Sequence, residues 1–577
     1  MKNSILRTQH GILVATNSPR SRNKDNGKKL SLLKTACIVS VFCAATAILS
    51  SAQTKFTSLL SFDGNNGADP HNVYLVQGTD GQLYGTTYSS TGTDGTVFKV
   101  TTGGMLTTLH TFCEGGSCLD GALPEAGLVL ATNGKFYGTT MKGGANDDGT
   151  VFEITSAGSL TTLHSFDVND GAFPEYALIQ ARNGNFYGTT SSGGAGDIGT
   201  IFEITPAGTL TSLHSFDGND GVYPDSSLVQ GSSGNLYGTT YEGGGGSGTV
   251  FKMTPAGALS TLQTFDPANG GGNTGTLIQV NGRFYGTTQG GSNGAGTIYE
   301  ITPAGTLTLL YTFCSKTDCT DGASPYAGLI QGSDGNLYGT TFAGGANTTS
   351  CNGGCGTIFR ITTGGELTTL YNFCSKSNCA DGSAPQGGLV QHTNGTFYGT
   401  TYHGGADGIG TIFSLSVGQK PFVKTVTTSA EVGATVLILG TNLTGATEVS
   451  FNGIAAQFTV VSSTEIKATI PAGATTGSVT VVTPRGTLKT IVIFNVLPQI
   501  KSFTPASGPV GTTVTITGVS LTQTAAVTFD GIAASDFTVD SDTKVTATVP
   551  ADAKTGKIAI HTPGGTAAST ANFAVTE

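Results

Sequence analysis

The tetrapeptide Tyr-Gly-Thr-Thr occurs seven times, with its tyrosine at Tyr84, Tyr137, Tyr187, Tyr237, Tyr285, Tyr338 and Tyr398. The spacing runs from 48 to 60 residues. A period of that length belongs to units that cannot bury an apolar face alone and must stack on their neighbours. Each unit holds four strand-like runs, A to D. In the sixth these are Leu329-Ile330-Gln331, Asn336 to Thr341, Gly356 to Phe359 and Leu367 to Tyr371. Tight-turn dipeptides separate A from B: Asp80-Gly81, Asn133-Gly134, Asn183-Gly184, Ser233-Gly234, Asn281-Gly282, Asp334-Gly335 and Asn394-Gly395. Such dipeptides accept the positive φ of hairpins. Between C and D, Pro206-Ala207-Gly208, Pro255-Ala256-Gly257 and Pro303-Ala304-Gly305 act similarly. Four antiparallel strands per repeat predict a propeller blade. Glycine supplies 87 of 577 residues and charged side chains only 11%, which excludes a coiled coil or helical solenoid.

The seventh strand C, Gly410 to Phe413, has no strand D after it, whereas a D-like run, Lys55 to Phe62, precedes the first strand A. The opening strand is therefore expected to complete the last blade and so remove a raw sheet edge. The predicted fold is all-β: a seven-bladed β-propeller over residues 54–418, then two immunoglobulin-like β-sandwiches at 419–496 and 497–577.

The Tyr-Gly-Thr-Thr, Gly-Thr-Ile-Phe and Thr-Leu-His-Ser-Phe pattern resembles the GloVer tandem repeat of secreted bacterial proteins across all seven units. That resemblance implies export and surface display, with no established activity. Further on, Phe503 to Gly518, Val527 to Gly531, Val549-Pro550 and Pro563-Gly564-Gly565 resemble an IPT/TIG immunoglobulin-like domain. A first copy follows the pattern in Glu431 to Val436, Phe451-Asn452-Gly453, Ile470-Pro471 and Pro484-Arg485-Gly486, but Thr427 to Ala430 replaces the Pro-Xaa-Ser-Gly opening. These modules imply spacers or protein-contact elements.

Residues 1–34 carry eight Lys or Arg and one acid, and Thr35 to Leu49 is uncharged. Fifteen residues rise about 22 Å as a helix, short of a ~30 Å hydrocarbon core. Residues 1–52 thus read as a signal peptide cleaved after Ala52, with an uncleaved anchor as the alternative. Its loss takes eight of 27 basic and one of 37 acidic side chains, leaving a net charge of −17. No basic cluster remains to release counterions from a phosphate backbone, so no nucleic-acid partner is expected. Nor is membrane insertion expected after cleavage. The protein is expected to be secreted or held at the cell surface.

Eight cysteines remain, in the close pairs Cys113 and Cys118, Cys314 and Cys319, Cys351 and Cys355, Cys374 and Cys379. Even number, tight spacing and export predict disulfides. Zinc is the rival reading, requiring two pairs to converge from different blades. No metal or other cofactor is expected. Calcium at the Asp63, Asp167 and Asp217 loops competes with Asx turns, which explain the same residues without an EF-hand spacing. His110, His164 and His214 share one repeat position with Leu60, Gln263, Tyr311 and Tyr371, which fits a rim residue better than a ligand. Gly290 to Gly294 and Gly243 to Gly248 match a nucleophile elbow and a dinucleotide loop by chance, since each leads into a strand. A glutamine ends strand A at Gln77, Gln180, Gln230, Gln279, Gln331 and Gln391. It either lines a channel mouth or satisfies backbone groups between blades, and the second is favoured.

The B-to-C and D-to-A loops share one face of a propeller and vary most between the repeats, which marks candidate contact surface. The variable positions supply the candidate binding residues Tyr88, Glu125, Glu175, Asp225, Tyr241, Tyr326, Phe342 and Tyr402. Aromatics beside acids suit an extracellular glycan or a surface protein. No catalytic constellation is identifiable, so the leading expectation is a non-enzymatic scaffold or binding protein. The alternatives are an extracellular carbohydrate-active enzyme, lyase or glycosidase, and a purely structural surface or matrix protein.

Overall fold

The computed structural model describes residues 54–577 apart from Asn273, Thr349, Ser350 and Asn352. The expected signal peptide, residues 1–52, lies outside the described residues. Thr54–Glu577 forms one compact unit. Among the described residues the regular elements are β-strands and three 3-10 turns.

Each of the seven repeats folds as a four-stranded antiparallel sheet in the order A-B-C-D. In the first repeat these strands are Val76–Gln77, Leu83–Thr87, Thr96–Val100 and Leu106–Thr111. The fourth sheet gains an extra strand, Val222–Pro224, on Leu236–Glu242. In the seventh the outer strand is the opening segment Lys55–Ser61, antiparallel to Thr411–Ser416 with Lys55 opposite Ser416 and Ser61 opposite Thr411.

Every letter of Tyr-Gly-Thr-Thr has a packing reason. In four of the seven repeats the tyrosine ring lies against the phenylalanine that opens the next repeat's strand B, as Tyr84 on Phe136 and Tyr137 on Phe186 at 4.0 Å. The glycine leaves room for the ring of strand C: a Cβ on Gly138 would lie 2.6 Å from Phe152, and one on Gly188 2.5 Å from Phe202. In five of the seven repeats the first threonine donates to a backbone carbonyl of the next repeat, as Thr86 does to Ala126 O (2.8 Å) and Thr287 to Ala327 O (2.9 Å). The second pairs with the first residue of strand C, Thr87 with Thr96 and Thr140 with Thr150 at 2.8 Å. These hydroxyls are buried, and each pairing spares the cost of an unsatisfied polar group.

Apolar cores lie between sheets, as the exposure of single sheets demands. Tyr84, Phe112, Phe136 and Phe152 form the core between repeats one and two, and equivalent clusters follow along the series. The series returns to its start: Phe62, Leu75, Leu83 and Phe98 of the opening segment and first repeat pack with Tyr398 and Ile412 of the seventh.

The strand-A glutamines make the same connection with hydrogen bonds. Gln180, Gln230, Gln279 and Gln391 accept from the backbone N–H of Thr132, Arg182, Ser232 and Ser333 in the preceding repeat at 2.9 to 3.0 Å. Gln77 accepts from Thr393 N in the seventh repeat at 3.1 Å. These amides serve the joints between sheets.

The remaining chain forms two sandwiches. In the first, a sheet containing Thr435–Leu439 and Glu465–Thr469 faces one containing Glu448–Phe451 and Val479–Thr483, around Ile438, Phe451, Ile466 and Phe494. The second repeats the plan around Ile516, Phe529, Ile558 and Phe573. The first sandwich sits against the repeats at their A-to-B turns: Thr464 Oγ1 donates to Thr79 O (2.7 Å), and Thr441 and Thr393 share a hydroxyl bond of 3.0 Å.

Candidate binding site

Six of the seven D-to-A loops end in a proline followed by a variable residue, His71, Glu125, Glu175, Asp225, Tyr326 or Gln386. Glu175, Asp225, Tyr326 and Gln386 line one small cavity with Tyr74 and Tyr176. Its volume of about 20 Å³ has room for one water-sized group. Glu175 and Asp225 also line a neighbouring cavity of about 300 Å³ whose outer wall is Tyr223 and Tyr241, each 41% exposed.

His71 ties in three more candidates. Its Nδ1 lies 2.6 Å from Glu125 Oε1, and its ring is 5.4 Å from Tyr402 and 5.9 Å from Tyr88. Phe342 joins through Tyr326, at 5.0 Å between rings. The candidates thus fall into two contacting groups, Glu175, Asp225, Tyr241 and Tyr326 with Phe342, and Glu125, Tyr88 and Tyr402 around His71.

The acids differ in what they can offer. Asp225 is spent on structure: Thr274 donates its N–H and Oγ1 to the carboxylate at 2.7 Å each, and Thr239 Oγ1 donates at 3.2 Å. Glu175 receives only Ser191 Oγ, at 3.1 Å. Burial, reinforced by the charges of Glu125 and Asp225 against the bond from Ser191, pushes the Glu175 carboxyl up to about 7. Burial likewise pushes Asp225 up to about 7 against its threonine donors.

These shifts make stability depend on pH with a definite sign. Above about pH 4 the unfolded chain ionises both groups, while the folded protein does so only near pH 7. The contribution is therefore complete in acid, falls as pH rises through 4 to 7, and stays lost above that, by on the order of 2–4 kcal/mol per group. The melting temperature, followed by circular dichroism, is expected to be higher at pH 5 than at pH 8. Glu175→Gln should flatten that slope, and an unaltered slope would place its origin elsewhere.

Position Tyr74 was missed by reading the loops alone. Its hydroxyl accepts from Gly328 N of the sixth repeat at 2.6 Å, and burial pushes its phenol up to about 12. The available signal was a tyrosine at a position where other repeats have Gly127, Gly328 and Gly388.

The family model for the Gloeobacter/Verrucomicrobia repeat matches residues 47–182, 132–349 and 314–449, which together take in well over half of the 577 residues. The chain belongs to the Gloeobacter/Verrucomicrobia repeat family. The IPT/TIG domain model matches residues 421–492 and 498–576. No curated protein matches this repeat protein. Solved structures similar to parts of it include SGBP-B from a complex xyloglucan utilization locus in Bacteroides uniformis, 27% identical, with a TM-score of 0.14 and covering 26% of this chain and 48% of that one. Surface glycan-binding protein PbSGBP-B from Prevotella bryantii is 20% identical, with a TM-score of 0.21, over 26% of this chain and 41% of that one. The match thus spans less than half the length of either protein. A fungal alcohol oxidase of the AA5 family, in complex with copper, is 13% identical with a TM-score of 0.38, over 78% of this chain and all of that one. Likenesses at these TM-scores assign nothing to the repeat protein.

Elsewhere in this Gloeobacter/Verrucomicrobia repeat protein the conspicuous polar residues serve the loops. The four cysteine pairs are disulfides, Cys113–Cys118, Cys314–Cys319, Cys351–Cys355 and Cys374–Cys379. The last two do converge, with Cys351 Sγ 3.7 Å from Cys374 Sγ. They come from loops of the sixth repeat and its exit, so convergence needs no second blade, contrary to the expectation. At the proposed calcium loops, Asp167 Oδ1 accepts from Asn169 N (2.8 Å) and Asp217 Oδ1 from Asn219 N (2.9 Å), which are Asx turns. His110, His164 and His214 bond Asp120, Asp170 and Asp220 at 2.7 to 2.9 Å. Tyr311 and Tyr371 bond Asp321 and Asp381 in the same way, at 2.7 and 2.6 Å. The rim position holds the D-to-A loop, and the recurring Asp-Gly of that loop was its signal.

Proposed function

We propose that the seven sheets close into a seven-bladed β-propeller over residues 54–418, carried on immunoglobulin-like modules at 419–496 and 497–577. In this reading the protein acts at the cell surface or outside the cell as a non-catalytic binding protein. Support for closure comes from the pairing of Lys55–Ser61 with the seventh sheet and from the core shared by the first and seventh repeats.

The observation that carries the function is the ~300 Å³ cavity lined by Tyr223 and Tyr241 together with Glu175. Exposed tyrosines offer flat apolar faces with a hydrogen-bonding edge, as sugar rings require. The surrounding acids disfavour anionic polymers, so a neutral glycan is the ligand class, with a surface protein as the alternative partner. A glycan binding screen with Tyr241→Ala and Tyr402→Ala tests this. Binding should saturate and weaken about tenfold or more in at least one variant, a loss typical of an anchoring aromatic. Saturable binding indifferent to both changes would move the site away from this mouth.

The alternative is a carbohydrate-active enzyme, favoured by one specific feature: Glu175 lies in a cleft with its carboxyl pushed up to about 7, as a general acid requires. Turnover of a polysaccharide abolished by Glu175→Gln would establish it.

A further inference from the structure

Where the repeats meet the first sandwich lies another cavity, of about 300 Å³. Leu75, Ile278, Ile330 and Leu389 supply its wall from four repeats, and Phe422 and Val492 close it from the sandwich side. One charged side chain, Lys424, enters this apolar space. The lysine and arginine ion pairs among the described residues are Lys135–Glu153, Arg283–Glu300 and Lys544–Asp540, so Lys424 has no carboxylate partner there. The titratable neighbour is His392, which cannot supply a negative charge. Its Nδ1 accepts from Asn394 N (3.1 Å) and its Nε2–H donates to Gly81 O (3.0 Å).

A lone ammonium in an apolar cavity is costly unless a counter-charge arrives. Burial pulls the Lys424 amine down to about 8, a strain that a bound anion would relieve. A second cavity, of about 310 Å³, shares Ile278, Thr428 and Val492 with the first and adds Arg182. That guanidinium donates to the carbonyls of Ser232 and Gly231 at 3.0 and 3.3 Å. The lip is apolar and open, with Val492 54% and Ile493 53% exposed. In a chain whose net charge is −10, this is a locally cationic, otherwise greasy space.

We propose that this cavity binds an apolar carboxylic acid, its carboxylate on Lys424 and its hydrocarbon among Leu75, Ile278, Ile330 and Leu389. The volume is roughly twice that of a ~150 Å³ apolar cavity that takes up benzene, which sets the hydrocarbon at about ten to twelve carbons. Its lining shares no residue with that of the tyrosine mouth.

Calorimetric titration of the full chain with decanoate and with 1-decanol separates the carboxylate from the hydrocarbon. Decanoate should bind one to one and about tenfold or more tighter than the alcohol, the difference expected of one buried charged pair. Lys424→Met should abolish that preference while leaving the alcohol's affinity within about threefold. Leu389→Trp, which fills the cavity, should remove binding of both. Equal affinities on the unaltered protein, absence of saturable decanoate binding, or decanoate binding that survives Leu389→Trp would each overturn the proposal. The decanoate-to-decanol ratio on the unaltered chain decides even where Lys424→Met does not fold.

Discussion

Deleting Lys55–Ser61 is expected to lower the melting temperature by about 10 °C or more and to make the protein aggregate on heating. That strand is the outer member of the seventh sheet, and removing it leaves Thr411–Ser416 as an unpaired edge, a template for association with other chains. It also carries Phe56, whose ring stacks on Tyr371 at 3.7 Å and lies 5.4 Å from Phe413. Phe62, just beyond it, is fully buried against Phe98. Truncating a buried phenylalanine costs about 3–5 kcal/mol, so Phe62→Ala alone should produce a clear shift in the urea midpoint. The deletion adds the loss of the strand ladder, with a further shift in midpoint. Unchanged melting after deletion would mean that the first and seventh repeats are not held together by this segment.

Gly328→Ala is expected to destabilise by about 2–3 kcal/mol or more, the upper range for overpacking. The residue has no left-handed backbone to account for. A Cβ there would lie 2.1 Å from Thr276 O, a backbone atom of the neighbouring repeat that cannot rotate away. The same N–H also serves Tyr74, so displacing Gly328 disturbs that tyrosine as well. Gly335→Ala is the control: its φ is +85° but its Cβ would meet open space, so only the conformational cost of roughly 1 kcal/mol applies. Urea denaturation of the two variants distinguishes proximity from backbone strain. Equal costs would show that the axis tolerates expansion.

Much of the assembly was legible in the chain because it is local. The A-to-B dipeptides sit between strands that pair as antiparallel neighbours, and the register follows from turns a few residues long. The incomplete seventh unit and the surplus opening strand could be matched because each is missing what the other has. The glutamine position was also readable, since an amide retained at the end of six strands while its neighbours change is most simply a joint between units. The His and Tyr rim position was only half read. Its exchange with Leu and Gln argued against a metal, but the aspartate that each His or Tyr meets, six or ten residues onward, was not connected to it.

Repetition in the residues themselves determined the all-β class, the seven units, their strand order, the two carboxy-terminal sandwiches and the end of each repeat where variable side chains emerge. These follow from alternation, turn chemistry and spacing, which act over a few residues. Only the tertiary structure decided that Asp225 is consumed by Thr274 and Thr239 while Glu175 is left available, that Tyr74 reaches Gly328 of the sixth repeat, and that Lys424 lines an apolar cavity made by four repeats and the first sandwich. The physical reason is distance along the chain. Tyr74 and Gly328 are 254 residues apart and Gln77 and Thr393 are 316 apart, and no local pattern encodes which side chains meet once the sheets pack on one another.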